Sequence, residues 1–266
     1  MGWTFVQPEG SGAFKYTCQI RIGDEARALK VYTQPFSERS LREVEAMRRC
    51  DHPNIARFVA FERVSIAGTQ YVYLLEEFLP GGSLATRIGN LTDKSAARLA
   101  LILSSAIEHI AYLGLVHRDL KPDNIMFRTA ADDEPVIVDF GLVRDLNEPS
   151  LTLSFFDRGP GSPRYASPEQ LNNEKELIGA RTDQFGLGVT LSYVVFGRHP
   201  YHRDGEPEEN AIHRAARKER PDSAFIDACV NRGFPPLVRM VQPFPIERFH
   251  TSRDLVVAWE RVVQTL

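Results

Sequence analysis

The first third of the chain alternates apolar and polar positions, a pattern that predicts β-strands. Between residues 3 and 32 a turn at residues 23–25 separates two such runs and predicts a hairpin. The apolar residues expected on one face of the first run are Tyr16, Cys18, Ile20 and Ile22. Strand patterns return at residues 56–64 and 70–75. Residues 37–50 differ, because their apolar residues recur every three positions and predict one amphipathic helix.

After the Pro-Gly-Gly sequence at residues 80–82 the pattern becomes helical, so we expect a boundary there between residues 1–79 and 80–266. Thr92 is a typical N-cap for a helix that would end at Gly114. Further helices are predicted at residues 183–196, 208–217, 236–241 and 252–263. Residues 144–168 show no clear period, which favours a long loop.

Composition excludes several classes of protein. The chain is 43% hydrophobic and 25% charged, which is typical of a globular protein and not of a disordered or fibrous one. A net charge of -3 gives no broad field that would attract nucleic acid or an anionic membrane, so neither partner is expected. Three scattered cysteines and no signal-peptide pattern at the N-terminus favour a reducing, cytoplasmic location.

Two short motifs carry the chemistry. Residues 117–124 read HRDLKPDN, and residues 139–141 read DFG after an apolar run. Together and in this order they resemble the catalytic and metal-binding loops of the eukaryotic-type protein kinases, and the DLKPDN string resembles the Ser/Thr kinases in particular. The resemblance implies an α+β, two-lobed protein kinase fold. Its small N-lobe (1–79) would be β-rich with one main helix, and its larger C-lobe (80–266) would be mainly helical.

The resemblance implies roles for four residues of these motifs. Asp119 would accept or orient the proton of the substrate hydroxyl, and Lys121 would offset charge on the transferred phosphoryl group. Asn124 and Asp139 would hold Mg²⁺, because hard cations prefer oxygen ligands. ATP and Mg²⁺ are therefore the implied cofactors. His117 and Phe140 are assigned to the architecture of the loops.

Lys30 matches the lysine that family members present to the α and β phosphates of ATP, since it ends the sequence Ala-Leu-Lys. An ammonium within an apolar run needs a carboxylate partner. Glu43 is expected to be that partner, from its spacing to the His-Pro-Asn turn at residues 52–54. Two alternatives are Glu45 on the same helix, and a capping box that Glu43 would complete with Ser40.

Residues 10–17 stand where the family has its glycine-rich loop, and Gly10, Ser11, Gly12 and Thr17 are the residues that would contact the nucleotide. The match is partial. Lys15 replaces the third glycine, and Thr17 replaces the valine that would cover the adenine. Lys15 would either add a phosphate contact or stiffen the loop and weaken ATP binding.

Residues 76–82 resemble the hinge between the lobes, where backbone groups of Glu77 and Leu79 would meet the adenine edge. Glu76 then stands where the family usually has an apolar side chain or threonine. Either an acidic group faces the back of the adenine pocket, or the register slips by one residue and places Leu75 there.

Residues 161–169 resemble the segment that forms the floor of the peptide-docking site in protein kinases. The resemblance implies a buried ion pair between Glu169 and Arg248, and it implies that Asp183 anchors the backbone of the catalytic loop.

Arg118 is the arginine that often pairs with a phosphorylated residue of the activation loop in such kinases. Arg158 occupies the expected acceptor position, and a cation there cannot take that role. Three hypotheses remain open. Asp157 supplies a permanent negative charge, Thr152 or Ser154 is phosphorylated, or the loop needs no trigger.

These patterns predict a Ser/Thr protein kinase that transfers the γ-phosphoryl group of MgATP to a hydroxyl of a protein substrate. Two alternatives stay open: a nucleotide-binding scaffold with weak catalysis, which Lys15, Thr17 and Glu76 motivate, and a kinase of a non-protein metabolite. The sequence leaves the oligomeric state open.

Overall fold

The structure is a computed structural model, and it describes residues 2–11, 15–32, 38–66, 68–131, 134–147 and 163–266. The N-terminal part is a five-stranded antiparallel sheet with the strand order β1-β2-β3-β5-β4. The elements of this part are β1 (Trp3–Ser11), β2 (Lys15–Ile22), β3 (Glu25–Tyr32), α1 (Glu38–Arg49), β4 (Phe58–Ile66) and β5 (Thr69–Glu77).

The strand alternation divides the sheet into two apolar faces. One face forms a small core around Ile20, Leu29 and Tyr73. The other face lies over α1, whose buried Val44 and Met47 belong to the main core of the molecule. Because successive side chains of a strand point to opposite faces, Lys30 lies on the same face as Tyr32, toward α1.

The second part is mainly helical. Its helices are α2 (Asp93–Tyr112), α3 (Pro168–Leu171), α4 (Ala180–Phe196), α5 (Glu209–Ala216), α6 (Ser223–Asn231), α7 (Pro235–Met240) and α8 (Ser252–Thr265). Short strands form two further antiparallel pairs: β6 (Leu115–Val116) with β9 (Arg144–Asp145), and β7 (Ile125–Phe127) with β8 (Pro135–Ile137). With the β-rich first part, this arrangement is the two-lobed α+β fold that the motifs implied.

Local sequence signals explain the ends of the long helices. The Thr92 hydroxyl accepts a hydrogen bond from the Ser95 amide at the start of α2, as predicted. Thr251 and Asp254 form a capping box at the start of α8. α1 begins at Glu38, so Ser40 lies inside the helix, and the capping box considered for Ser40 and Glu43 is wrong.

The helix patterns missed α6. Asp222 caps it by accepting a hydrogen bond from the Phe225 amide. Only Phe225 and Cys229 of this nine-residue helix are fully buried, so its apolar stripe is too short for periodicity to reveal it.

α4 is buried on almost every side, which agrees with the core helix expected from its apolar sequence. Among the described helices, none combines the length and the apolar character that crossing a bilayer would need.

Candidate active site

The loop at residues 117–124 is held in place through its backbone. Both carboxylate oxygens of the buried Asp183, on α4, accept hydrogen bonds from the amides of His117 (2.8 Å) and Arg118 (2.9 Å). Arg118 has a φ of 71°, a left-handed backbone conformation that costs energy for a residue other than glycine. The Gln170 side chain also donates to the Arg118 carbonyl at 2.9 Å. Asp183 therefore lies where the sequence expectation placed it, at the base of the loop.

Asp119, Lys121 and Asn124 form one polar cluster. Oδ2 of Asp119 accepts hydrogen bonds from Lys121 Nζ at 2.9 Å and from Asn124 Nδ2 at 2.8 Å. The Asn124 amide also donates to the Asp119 backbone carbonyl at 2.9 Å, which fixes the amide orientation. Charge-assisted hydrogen bonds of this kind hold the carboxylate in one position.

The β7–β8 hairpin brings the second motif beside the first. Ile125 pairs with Ile137, and the Val138 amide donates to the Asn124 carbonyl at 3.0 Å, so Asn124 and Asp139 lie at the same end of the hairpin. The amide nitrogen of Asn124 is engaged by Asp119, which leaves its side-chain oxygen as a ligand. One amide oxygen and one carboxylate fit Mg²⁺, which is usually held by one or two side chains together with phosphate oxygens and water.

Asp139 is itself in a strained conformation. Its φ is 63°, and its Oδ1 accepts from the Gly141 amide at 3.2 Å. The next residue, Phe140, is fully buried, and its ring meets the ring of His117 with centroids 4.8 Å apart. His117 Nε2 contacts the Val138 carbonyl at 3.1 Å. These contacts agree with the architectural role expected for His117 and Phe140, and strained backbone of this kind is common at functional sites.

The predicted ion pair between Lys30 and Glu43 is wrong. The partner of Glu43 is Lys15, whose ammonium contacts Oε1 of Glu43 and also lies 3.1 Å from Oδ1 of Asp139. The Tyr32 hydroxyl donates to Oε2 of Glu43 at 3.0 Å. Glu43 is nevertheless a buried carboxylate of α1, whereas the alternative, Glu45, is exposed.

Electrostatics keep this group of side chains charged. Burial alone would lower the pKa of the Lys15 ammonium, but the charges of Asp139 and Glu43 outweigh burial and raise that pKa above its usual value. Burial alone would raise the pKa of the Asp139 carboxyl, but Lys15, and Lys30 to a smaller extent, hold it well below its usual range. Asp139 is thus ionised at neutral pH, which is the form a metal ligand needs.

Lys30 forms its ion pair with Glu76 instead, and both side chains are almost completely buried. The strand register explains this partner. Ala28 pairs with Glu76 across β3 and β5, and Lys30, two residues on, points to the same face. The register does not slip, so Glu76 and not Leu75 faces the cleft. The Glu76 Oε2 atom is buried and has no hydrogen-bond partner in the described part of the chain.

The other predicted nucleotide contacts lie around the same cleft. Thr17 pairs with Lys30 in the register of β2 and β3, and Gly10 pairs with Thr17. Ser11 ends β1, whereas Gly12 lies outside the described residues. Roles of these residues toward a nucleotide stay predictions.

The predicted hinge follows β5. Glu77 is the last residue of that strand, and its amide donates to the Arg57 carbonyl at 3.0 Å. Leu79 is buried against Ala56 and Val136. At Gly81 a Cβ atom would lie 2.3 Å from the Thr129 carbonyl oxygen, so the close approach of the two chain segments requires glycine.

Glu169 and Arg248 form the buried ion pair that the resemblance to protein kinases implied. The guanidinium donates to both carboxylate oxygens, at 2.6 and 2.9 Å, and both side chains are fully buried. Arg248 also donates to the carbonyls of Gln242, Arg181 and Pro243. The pair therefore ties α3 to the segment before α8.

The residues proposed to control the activation segment, Thr152, Ser154, Asp157 and Arg158, lie outside the described residues. The three hypotheses about that segment stay predictions.

The comparisons with known proteins agree with this geometry. Residues 9–233 match the family model of the protein kinase domain. The chain is 30% identical over 264 residues to calcium/calmodulin-dependent protein kinase type 1B of Rattus norvegicus. This match covers 94% of this chain and 72% of the relative. It is 30% identical to a probable myosin light chain kinase of Dictyostelium discoideum (73% of this chain, 63% of the relative). A probable serine/threonine-protein kinase, MARK-C, of the same organism is 35% identical (66% of this chain, 22% of the relative).

Proposed function

The chain belongs to the protein kinase family, and from that premise we propose that it transfers the γ-phosphoryl group of ATP to a serine or threonine hydroxyl of a protein. The observation that carries this proposal is the cluster of Asp119, Lys121 and Asn124 next to Asp139. The relatives support Ser/Thr specificity, since one of them is a probable serine/threonine-protein kinase.

Each side chain of the cluster has a definite task in this reaction. The hydroxyl oxygen of the substrate forms a bond to the γ-phosphorus, the bond from that phosphorus to the bridging oxygen breaks, and ADP leaves. The hydroxyl proton passes to Asp119, whose Oδ2 is held by Lys121 and Asn124 while Oδ1 has no hydrogen-bond partner among the described residues. The Lys121 ammonium lies 2.9 Å from Oδ2 of Asp119. From this position it offsets negative charge on the transferred phosphoryl group.

Asn124 and Asp139 would supply the oxygen ligands for Mg²⁺. When bound, the metal neutralises charge on the phosphate oxygens. The ionised state of Asp139 and the fixed amide of Asn124 prepare these ligands before the nucleotide arrives. A carboxylate that is already deprotonated releases no proton when the metal binds.

The test compares Asp119→Asn with Asp123→Asn in a transfer assay with γ-labelled ATP, Mg²⁺ and a basic protein. Asp123 lies in the same loop and is exposed. The Asp123→Asn variant therefore controls for the loss of one carboxylate from this loop. We expect Asp119→Asn to lower turnover by about 10²–10⁴-fold, the range of general acid–base catalysis, with nucleotide affinity largely retained. Asp123→Asn should stay close to the wild type. Equal turnover of all three proteins would refute the role of Asp119.

The location of the label separates the candidate functions. Label in phosphoserine or phosphothreonine after hydrolysis of the protein supports the proposal, whereas phosphotyrosine contradicts the specificity. A wild-type chain that binds nucleotide but transfers no label, with its activation segment phosphorylated or not, is a scaffold. Label that appears only when a small hydroxyl compound replaces the protein identifies a metabolite kinase.

A further inference from the structure

The cleft contains two buried lysines, and each has a carboxylate of its own. Lys15 contacts Glu43 on α1 and Asp139 in the DFG motif, and Lys30 contacts Glu76 at the end of β5. The exposed fractions of the two lysine side chains are 12% and 10%, so both ammonium groups depend on these partners for charge compensation.

The register of the sheet fixes this division. Lys15 pairs with Tyr32 across β2 and β3, and Thr17 pairs with Lys30, so the two lysines point to the same face. The Tyr32 hydroxyl donates a hydrogen bond to the second oxygen of Glu43. Both oxygens of Glu43 are therefore occupied without Lys30.

The two unusual residues of the cleft compensate each other. The resemblance to protein kinases implies glycine at position 15 and an apolar residue or threonine at position 76, whereas this chain has lysine and glutamate. Either change alone adds one buried charge and leaves the charges of the cleft out of balance, which is costly. Together they add one cation and one anion. Glu76 attracts Lys30 toward the end of β5, and Lys15 occupies the place beside Glu43 that this leaves open.

On the basis of the proposed function, we propose that Lys15 is the ammonium that contacts the nucleotide phosphates, and that Lys30 serves instead to neutralise Glu76. Lys15 lies 3.1 Å from the Asp139 carboxylate, which is the expected metal ligand, and phosphate oxygens bind next to that metal. A movement of Lys30 toward the phosphates that broke its contact with Glu76 would leave this carboxylate, whose other oxygen has no partner within the described residues, without its cation. A buried carboxylate without any cation is strongly unfavourable.

The first experiment identifies the lysine directly, with a probe that carries an acyl group on the γ-phosphate of ATP. A lysine amine near the phosphates attacks the acyl carbon, a nitrogen–carbon bond forms, the carbon–oxygen bond to phosphate breaks, and ATP and a proton are released. Mass spectrometry of the labelled wild-type chain then locates the acyl group. We expect it on Lys15. Label on Lys30, on both lysines in equal yield, or on neither would overturn the proposal.

The second experiment measures the affinity of wild type and variants for MgATP by calorimetry. Lys15→Met should weaken binding by about tenfold or more, as expected for loss of a charge-assisted contact. The matched control is the double variant Lys30→Met with Glu76→Met, which removes both members of the second ion pair. An apolar pair of similar volume is a tolerated substitute for a buried ion pair. This double variant should bind MgATP within about threefold of the wild type. A larger loss in the Lys30 and Glu76 variant than in Lys15→Met would contradict the assignment.

A third variant tests the compensation. Lys15→Met combined with Glu76→Met removes both unusual charges, so Lys30 loses its carboxylate and Glu43 loses its cation. We expect these two to pair, and MgATP affinity to recover relative to Lys15→Met alone. If the double variant Lys15→Met with Glu76→Met melts like the wild type but binds MgATP no better than Lys15→Met, the compensation between positions 15 and 76 is contradicted.

Neither experiment depends on phosphoryl transfer. A wild-type chain that is acylated on Lys15 but transfers no phosphate contradicts the proposed function and supports the assignment of Lys15. A chain that transfers phosphate but is acylated on Lys30 contradicts only the assignment of Lys15.

Discussion

The buried ion pair between Glu169 and Arg248 offers the sharpest test of stability in the helical lobe. Replacing Arg248 by Met keeps much of the side-chain volume and removes the guanidinium. Glu169 would then remain fully buried, and among the described residues only the Thr182 hydroxyl, 2.9 Å away, would still donate a hydrogen bond to its carboxylate. Three backbone carbonyls would also lose the hydrogen bond that Arg248 donates to each of them.

The expected cost is large. Removing one partner of a buried ion pair costs about 3–5 kcal/mol, a substantial part of the roughly 5–15 kcal/mol that stabilises a typical folded protein. For chains of this size about 1 kcal/mol corresponds to roughly 2–4 °C in Tm, so Arg248→Met should melt roughly 6–20 °C below the wild type. Circular dichroism at 222 nm, recorded during heating, measures this shift.

Two further variants make the test specific. Arg253→Met removes an arginine whose carboxylate contacts are 3.7 and 3.9 Å long and whose side chain is 61% exposed, and it should change stability by less than about 1 kcal/mol. Arg248→Met combined with Glu169→Met should regain much of the lost stability, because no buried charge remains. If Arg248→Met melts within error of Arg253→Met, the pair contributes nothing and the reasoning is refuted.

Two other predictions concern pH and a helix cap. Burial lowers the pKa of His199 to about 3, so the folded protein keeps this side chain neutral while the unfolded chain takes up a proton below about pH 6.5. The contribution of neutral His199 to the free energy of unfolding is therefore fully present above pH 6.5. It falls by up to about 1.4 kcal/mol per pH unit as the pH decreases toward 3. Urea unfolding at pH 7.5 and 5.0 should show a smaller acid-induced loss for His199→Gln than for the wild type and for His213→Gln, which changes an exposed histidine. Equal losses would contradict this origin. Thr251→Ala removes the side-chain acceptor at the start of α8 and should cost about 1 kcal/mol in urea unfolding, whereas Thr251→Ser should cost less, and equal losses would contradict the cap.

Most of the fold could be predicted because its signals are local. Strand alternation, the break at residues 80–82 and the caps at Thr92 and Thr251 each depend on residues that are close in sequence. The short helix α6 escaped, since two buried residues do not define a period. The order of strands β5 and β4 in the sheet is not a local property and came only from the structure.

The site was predictable to a different extent in its two halves. The contacts of Asp119 with Lys121 and Asn124 are made within six residues, so one motif specifies them. Contacts made by Asp183 and Arg248 join distant segments, and only the family resemblance anticipated them. Where the sequence departs from the family, this source of information fails.

The lysine of β2 shows why. The sequence reveals that a cation replaces glycine at position 15. The partner of this cation depends on how β2 pairs with β3, how far the sheet lies from α1 and how far it lies from the DFG motif, and no local pattern encodes these relations. Opposite charges in a shared cleft exchange partners according to geometry, so a new carboxylate at position 76 changes the surroundings of Lys30 and thereby those of Glu43. Two substitutions far apart in sequence must therefore be interpreted together. A residue that matches a family motif, as Lys30 does, keeps its position on the strand but need not keep the partner that gives the position its chemical role.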